Sequence, residues 1–235
     1  MLEPLEKYET AMVVTAHPDD AEYGCSGTVA RWISEGTEVV YVLVTDGSKG
    51  TEDRSISPEQ LAEIRRKEQI EAGKLLGLKD VVFLNYPDGY LEPTLDVRRD
   101  ISKQIRIHKP QILITTNPNR TLTGDNYIGH PDHFAAGEAA LSAVYPAARD
   151  HLTFPELQEQ GHHPHKVREV LIIGHDSPNR WFDITNSIDT AEKGLLAHVS
   201  QLGQEAADRT RERKRELGEL YGVQYAEHFK GFVIR

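Results

Sequence analysis

Apolar residues in this chain gather into short continuous runs, separated by stretches in which they recur at helical spacing. That is the pattern of buried strands alternating with amphipathic helices. Ala11 to Ala16 is the first run, and Glu38 to Thr45, rich in β-branched residues, is the second. Neither alternates with polar positions, so both read as strands covered on two faces. Between them, Gly27 to Gly36 carries Val29, Trp32 and Ile33 at helical spacing, and residues 11 to 45 therefore predict a βαβ unit with a parallel strand pair. Ser57-Pro58-Glu59-Gln60 has the form of a capping box with proline in the first turn. It opens a helix through Leu61, Ile64, Glu68, Ala72, Leu75 and Leu76 to Gly77.

Further along, Val81 to Leu84, Gln111 to Thr115, Val167 to Ile173 and Trp181 to Ile184 predict strands three to six. Helices are predicted over Val97 to His108, over Asp132 to Ala148 and through most of Ile188 to Leu220. Thr116 to Gly129 reads as a polar loop, and residues 151–166, with Pro155, His162, His163, Pro164 and His165, as an irregular exposed segment with solvated imidazoles. Strands and helices alternating in this way predict an α/β fold, with a mostly parallel sheet between two helical layers. In such folds ligands bind at the carboxyl ends of the strands.

With 235 residues, of which 38% are hydrophobic, one substantial core is expected, and with it a single domain spanning 1–235. The formal charge of −10, with Lys and Arg scattered among acids, is the reverse of the basic footprint that a phosphate backbone requires, so nucleic acid is not an expected partner. The same charge favours neutral small substrates over polyanions. Cys25 is the one cysteine, which excludes an intramolecular disulfide and suits a small buried residue in a reducing cytoplasm. Met1 to Thr10 is charged and lacks an apolar core of signal-peptide type. No later apolar run approaches the ~18 residues of a membrane span. A cytoplasmic protein without membrane association is the expectation.

Two clusters carry the chemistry. His17-Pro18-Asp19-Asp20 follows the first strand, and His130-Pro131-Asp132-His133 follows the loop after the fourth, which places both at the carboxyl edge of the sheet. A turn that Pro18 helps to fix can aim the His17 imidazole and the Asp20 carboxylate at one ion, while Asp19 faces elsewhere. His133 would add a third ligand from a distant stretch. Two nitrogens and one oxygen suit one zinc ion per chain with a coordination position open to water, as catalytic zinc sites have, and Fe2+ or Co2+ could use the same ligands. Either cluster alone would read as a proline turn whose Asp caps the next helix. Two matching clusters point to the metal.

The strand Ala11 to Thr15 running into Ala16-His17-Pro18-Asp19-Asp20, with His130-Pro131-Asp132-His133 far downstream, resembles the LmbE-like, or PIG-L, zinc-dependent N-deacetylases. The likeness continues in Thr45-Asp46-Gly47, in Arg65 to Glu68 with Leu76-Gly77, in Asp88-Gly89, and in Asp183-Ile184 leading to His198 and Gln201. It implies a Rossmann-like three-layer sandwich and the hydrolysis of a linear amide, commonly removal of an acetyl group from an N-acylated amino sugar. Members are often multimeric, which leaves a homo-oligomer open. By position, the resemblance implies metal ligands at His17, Asp20 and His133 and a general base at Asp19. It also implies that His130 faces the developing oxyanion and that Asp132 holds the His130 ring and stabilises its protonated form. Arg65 and Asp88 match positions that contact sugar hydroxyls in relatives. Read alone, they would be a solvated helix arginine and an Asp-Gly turn.

Two features depart from the family pattern. Ala21 stands before Glu22 where His-Pro-Asp-Asp-Glu is common, and Ile128, with Tyr127 beside it, stands where some members carry a tyrosine. Residues 121–126 and the His-rich segment have no counterpart and are expected to carry substrate choice, with Lys49, Arg65 and Arg120 as cations near the pocket.

Two other classes of function compete. Gly24-Cys25-Ser26-Gly27 opens a helix that could cradle a phosphate, as in a Rossmann-like nucleotide-binding module. It lacks the third glycine and any Walker lysine, and its glycines would equally let the helix pack on the sheet. A non-catalytic metal- or sugar-binding protein would use the same ligands but has little use for the unliganded Asp19, unless that residue caps the next helix.

Overall fold

The computed structural model describes residues 7–120, 122 and 128–235. Thr10–Thr15 (β1) leads into two short helices, Asp20–Gly24 (α1) and Ser26–Ser34 (α2), and then Glu38–Thr45 (β2), Pro58–Leu76 (α3) and Asp80–Tyr86 (β3). Leu95–His108 (α4), Ile112–Thr116 (β4), Pro131–Ser142 (α5), Pro155–Glu159 (α6) and Glu169–Ile173 (β5) follow. The described chain closes with Arg180–Asp183 (β6), Ile188–Leu196 (α7), Gln204–Tyr221 (α8) and Ala226–Val233 (β7). The strands form one seven-stranded sheet in the order β3-β2-β1-β4-β5-β7-β6. β1 to β5 pair in parallel, and β7 runs antiparallel to both β5 and β6.

Continuous apolar runs become central strands because both faces of the sheet are covered. Met12, Val14, Val40, Val42 and Leu113 face α4 and α5. Their neighbours Val13, Tyr41, Leu43 and Ile114 face the side of α1, α2 and the end of α3. The start of α3 is the expected capping box: the Ser57 hydroxyl accepts from the Gln60 N–H, while the Gln60 side chain accepts from the Ser57 N–H at 2.8 Å. Gly77, at φ +83°, ends it.

After β1 the chain builds outward through β2 and β3, then returns to place β4 on the other side of β1. The loops leaving β1 and β4 therefore diverge at a topological switch point, the standard position for a ligand site in an open α/β sheet. Gly137 lets α5 seat there, since a Cβ on it would lie 2.3 Å from the Thr116 carbonyl oxygen. The Thr116 hydroxyl then donates to the His133 carbonyl at 2.6 Å.

Two expectations need correction, and one strand was not foreseen. The helix predicted to Ala148 stops at Ser142 and passes into a wider turn at Ala143–Ala147, where Pro146 has no N–H to continue the ladder. The 151–166 segment is not wholly irregular and exposed: it contains α6 and buries Leu157. Its approach is fixed by Arg106, 1% exposed, whose guanidinium donates to the carbonyls of Ala147, Ala148, Asp150, Thr153 and Phe154. The sequence pattern also gave no sign of β7, because one of its inward positions is a carboxylate, Glu227.

Glu227 has a specific task. Its oxygens accept from the N–H groups of Gly27 and Thr28, at 3.0 and 2.7 Å, and one of them pairs with the buried Lys214 ammonium at 2.7 Å. A Cβ on Gly27 would fall 2.5 Å from Ile184 Cδ1, so this glycine serves close packing. The helix N-terminus considered for a phosphate is thus already filled by a side chain. Glu227→Gln leaves Lys214 buried without a counter-charge and is expected to destabilise the fold by about 3 kcal/mol or more, read from urea unfolding. A loss below ~1 kcal/mol would contradict this account of the pair.

Cys25 is buried, as expected. Among the described residues no helix is long and apolar enough to cross a membrane.

Candidate metal centre

The loop after β1 is tied down before it reaches the first cluster, with the Ala16 carbonyl accepting from both the Thr45 N–H and the Thr45 hydroxyl. Asp20 then opens α1, and its Oδ2 accepts from the His17 N–H at 2.8 Å while lying 3.5 Å from His17 Nδ1. Its Oδ1 lies 3.0 Å from Nε2 of His133, which arrives on the first turn of α5. One donor atom from each of His17, Asp20 and His133 falls within 4.8 Å of the others. The two distant clusters meet.

The far nitrogen of the His17 ring is braced. Nε2 lies 3.1 Å from Asp88 Oδ1 and 3.2 Å from Asp132 Oδ2, and Asp132 is itself held by the N–H groups of Gly89 and Leu91 at 2.7 and 3.2 Å. Burial opposes charge on His17, but hydrogen bonds to Asp132, Asp20 and Asp88 overcome this and leave its pKa pushed up to about 12. For Asp20, burial acts upward and is outweighed by His133 and His17, which hold the carboxyl well below its usual range. Asp88 and Asp132 are likewise lowered against burial, chiefly by His17. Three carboxylates thus converge on one imidazole. That concentration of negative charge, with two nitrogens and an oxygen facing one another, fits a divalent cation of borderline softness.

Asp19 lies beside this set without belonging to it. It stands at the N-cap of α1 with φ +91°, yet its side chain makes no capping bond; Oδ2 is 3.3 Å from the Arg65 guanidinium. Burial, with the charge of Asp20, pushes its pKa up to about 7 against the pull of Arg65 and His198. A carboxyl so placed can both accept and return a proton near neutral pH.

The second cluster differs from expectation in one contact. The Asp132 carboxylate sits on His17 rather than on the His130 ring, from which it is 3.9 Å away. What joins it to His130 is the Asp132 N–H, donated to Nδ1 at 3.2 Å. Gly89 and Leu91, on the loop after β3, draw the carboxylate across. Burial and the neighbouring His17 charge push the His130 pKa down, so with Nδ1 accepting, its neutral ring carries the proton on Nε2.

Arg65 and Asp88, expected at the sugar, are 5% and 3% exposed and are largely committed to the framework. Arg65 donates to the carbonyls of Gly47, Lys49 and Pro18, while Asp88 accepts from the Lys49 N–H. Both still border a cavity of about 420 Å³ that His17, Asp19, Lys49, Ile128, His130 and His133 also line. Arg120 turns instead to the carbonyls of Ile128 and Gly129. Tyr127 and, of residues 121–126, all but Leu122 lie outside the described residues. Sequence reasoning missed Gln69, a fully buried amide that accepts from the Asp19 N–H at 3.1 Å. Its only signal was its place one turn beyond Arg65 on the same helix.

Known proteins resemble this chain in sequence and in fold. The family model described as GlcNAc-PI de-N-acetylase, PIG-L, matches residues 12–144. A diacetylchitobiose deacetylase of Thermococcus kodakarensis is 31% identical over 96% of this chain and 84% of its own length. A probable N-acetyl-α-D-glucosaminyl L-malate deacetylase of Bacillus anthracis is 28% identical over 86% of this chain and 85% of its own. The solved structure of N,N'-diacetylchitobiose deacetylase from Pyrococcus horikoshii, bound to an inhibitor, superposes with a TM-score of 0.89 at 31% identity, covering 98% of this chain and 86% of that one. Sheet order, the two His-Pro-Asp clusters at the switch point and these matches agree, and the chain belongs to the PIG-L family of deacetylases.

Proposed function

We propose that this protein removes an acetyl group from an N-acetylated amino sugar or a related small amide, with a divalent metal, zinc by donor preference, held by His17, Asp20 and His133. The observation that carries the reading is Asp19, a carboxyl next to the three donors, free of any capping bond and poised near neutral pH. When bound, the ion supplies a Lewis acid for the amide carbonyl and lowers the pKa of water toward ~7. Asp19 takes a proton from the attacking water onto a carboxylate oxygen and returns it to the amide nitrogen as the C–N bond breaks. His130 donates from Nε2 to the oxyanion, a contribution of ~3 kcal/mol by analogy with other such donors. Asp132 and Asp88 keep the His17 ring from turning. The substrate class follows the relatives, whose names specify acetylated sugars.

A panel of N-acetylglucosamine derivatives and small amides, assayed for released primary amine, tests this. Amine release that chelator abolishes and added Zn2+ restores, with about one ion per chain in the active protein, is the expected outcome. Turnover indifferent to chelator removes the metal from the mechanism, and a metal-replete protein inert to every acetylated sugar leaves only a binder.

A further inference from the structure

Asp19 owes its direction to the peptide group that precedes it. At φ +91° it is a non-glycine residue in left-handed space, which a free turn would relax by rotating the Pro18–Asp19 peptide plane. Both ends of that peptide are held from one helix. Its carbonyl oxygen accepts from the Arg65 guanidinium at 2.7 Å, and its N–H donates to the Gln69 carboxamide oxygen at 3.1 Å. Residues 65 and 69 are one turn apart on α3 and so share a face.

The Gln69 amide cannot flip. Its nitrogen donates to Glu22 Oε1 at 2.9 Å, and a carboxylate only accepts, so the NH2 must face Glu22 and the carbonyl must face Asp19. Glu22 is fully buried, with Oε2 3.4 Å from Nε2 of the equally buried His198. Gln69 itself is not among the residues lining the cavity.

We propose that Arg65 and Gln69 form a clamp on the Pro18–Asp19 peptide, with Glu22 fixing the amide's orientation, and that Gln69 is a positioning residue for the Asp19 carboxylate. The proposal rests on Asp19 being the base. Gln69→Leu in the full-length, metal-loaded protein removes one jaw while keeping an apolar filling. The expected result is a kcat lower by about 10- to 100-fold with KM and metal content unchanged, since small misplacements of a catalytic group cost that much. In an Asp19→Asn background the same substitution is expected to change the residual rate by less than about twofold, because nothing is left to aim. A merely structural role predicts instead that the two losses add. A folded, metal-replete Gln69→Leu with kcat within about twofold of the parent overturns the clamp. Should that variant not fold, Glu22→Gln frees the amide to flip and is expected to lower kcat several-fold; an unchanged kcat there overturns the proposal equally. An active Asp19→Asn sinks the base reading, whereas an inert Asp19→Asn beside a fully active Gln69→Leu sinks the clamp alone.

Discussion

Asp19→Asn is expected to keep about one metal ion per chain while turnover falls by about 10³-fold or more. Asparagine matches aspartate in shape and, among non-glycine residues, is one of the most tolerant of left-handed backbone, so φ +91° and the hydrogen bond from its N–H to Gln69 should survive. The side chain is not one of the three converging donors, and its loss of charge relieves repulsion from Asp20 rather than breaking a ligand. What disappears is the proton acceptor. Metal analysis after dialysis and kcat at saturating substrate decide the matter. A variant that retains more than about a tenth of the parent rate would remove Asp19 from the chemistry.

His17→Ala should fail for the opposite reason, by losing the metal. The ring supplies a donor nitrogen and is also the group on which Asp20, Asp88 and Asp132 all converge. Altering a residue that merely supports a ligand lowers metal affinity by ~10–100-fold, so deletion of the ligand is expected to exceed ~100-fold and leave the dialysed protein metal-free and inactive. There is a pH signature as well. With the imidazole present, Asp88 and Asp132 are held below their usual range, and their stabilising contribution is present above the unfolded carboxyl pKa and lost as acid titrates them. Without it, the carboxylates face one another, their folded pKa values rise, and the variant binds protons on folding. The variant should therefore be most destabilised, relative to the parent, at neutral pH and regain ground on mild acidification, as seen by thermal melts between pH 5 and pH 7.5. Stoichiometric metal in His17→Ala would break the ligand assignment.

Much of this was readable from residues in order, and the exceptions share a cause. Strands buried on both faces announce themselves as unbroken β-branched runs, and Ser57 with Gln60 marks a helix start through bonds that are local in sequence. The three donors were legible because two motifs of unusual composition each follow a strand. Gln69 was not, since one amide in a charged helix looks like surface until α1 is laid against it. The partner of the Asp132 carboxylate was hidden because it is decided by the loop after β3, which brings the Gly89 and Leu91 N–H groups from more than forty residues away. β7 escaped because Glu227 breaks the apolar alternation, and Arg106 escaped because its partners are carbonyls, which no side-chain pattern records.

The place of β7 has a bearing on how the molecule is assembled. It is translated after every other strand of the sheet, yet it lies between β5 and β6, and among the described residues β6 has no other strand to pair with. Until the ribosome has passed residue 233, β5 presents an open edge and the backbone groups at the start of α2 lack their carboxylate. A chain ending near residue 144, where the matched family model stops, holds four of the seven strands with β4 as its open edge, and is a half-built sheet and a candidate for chaperone capture rather than a smaller working enzyme.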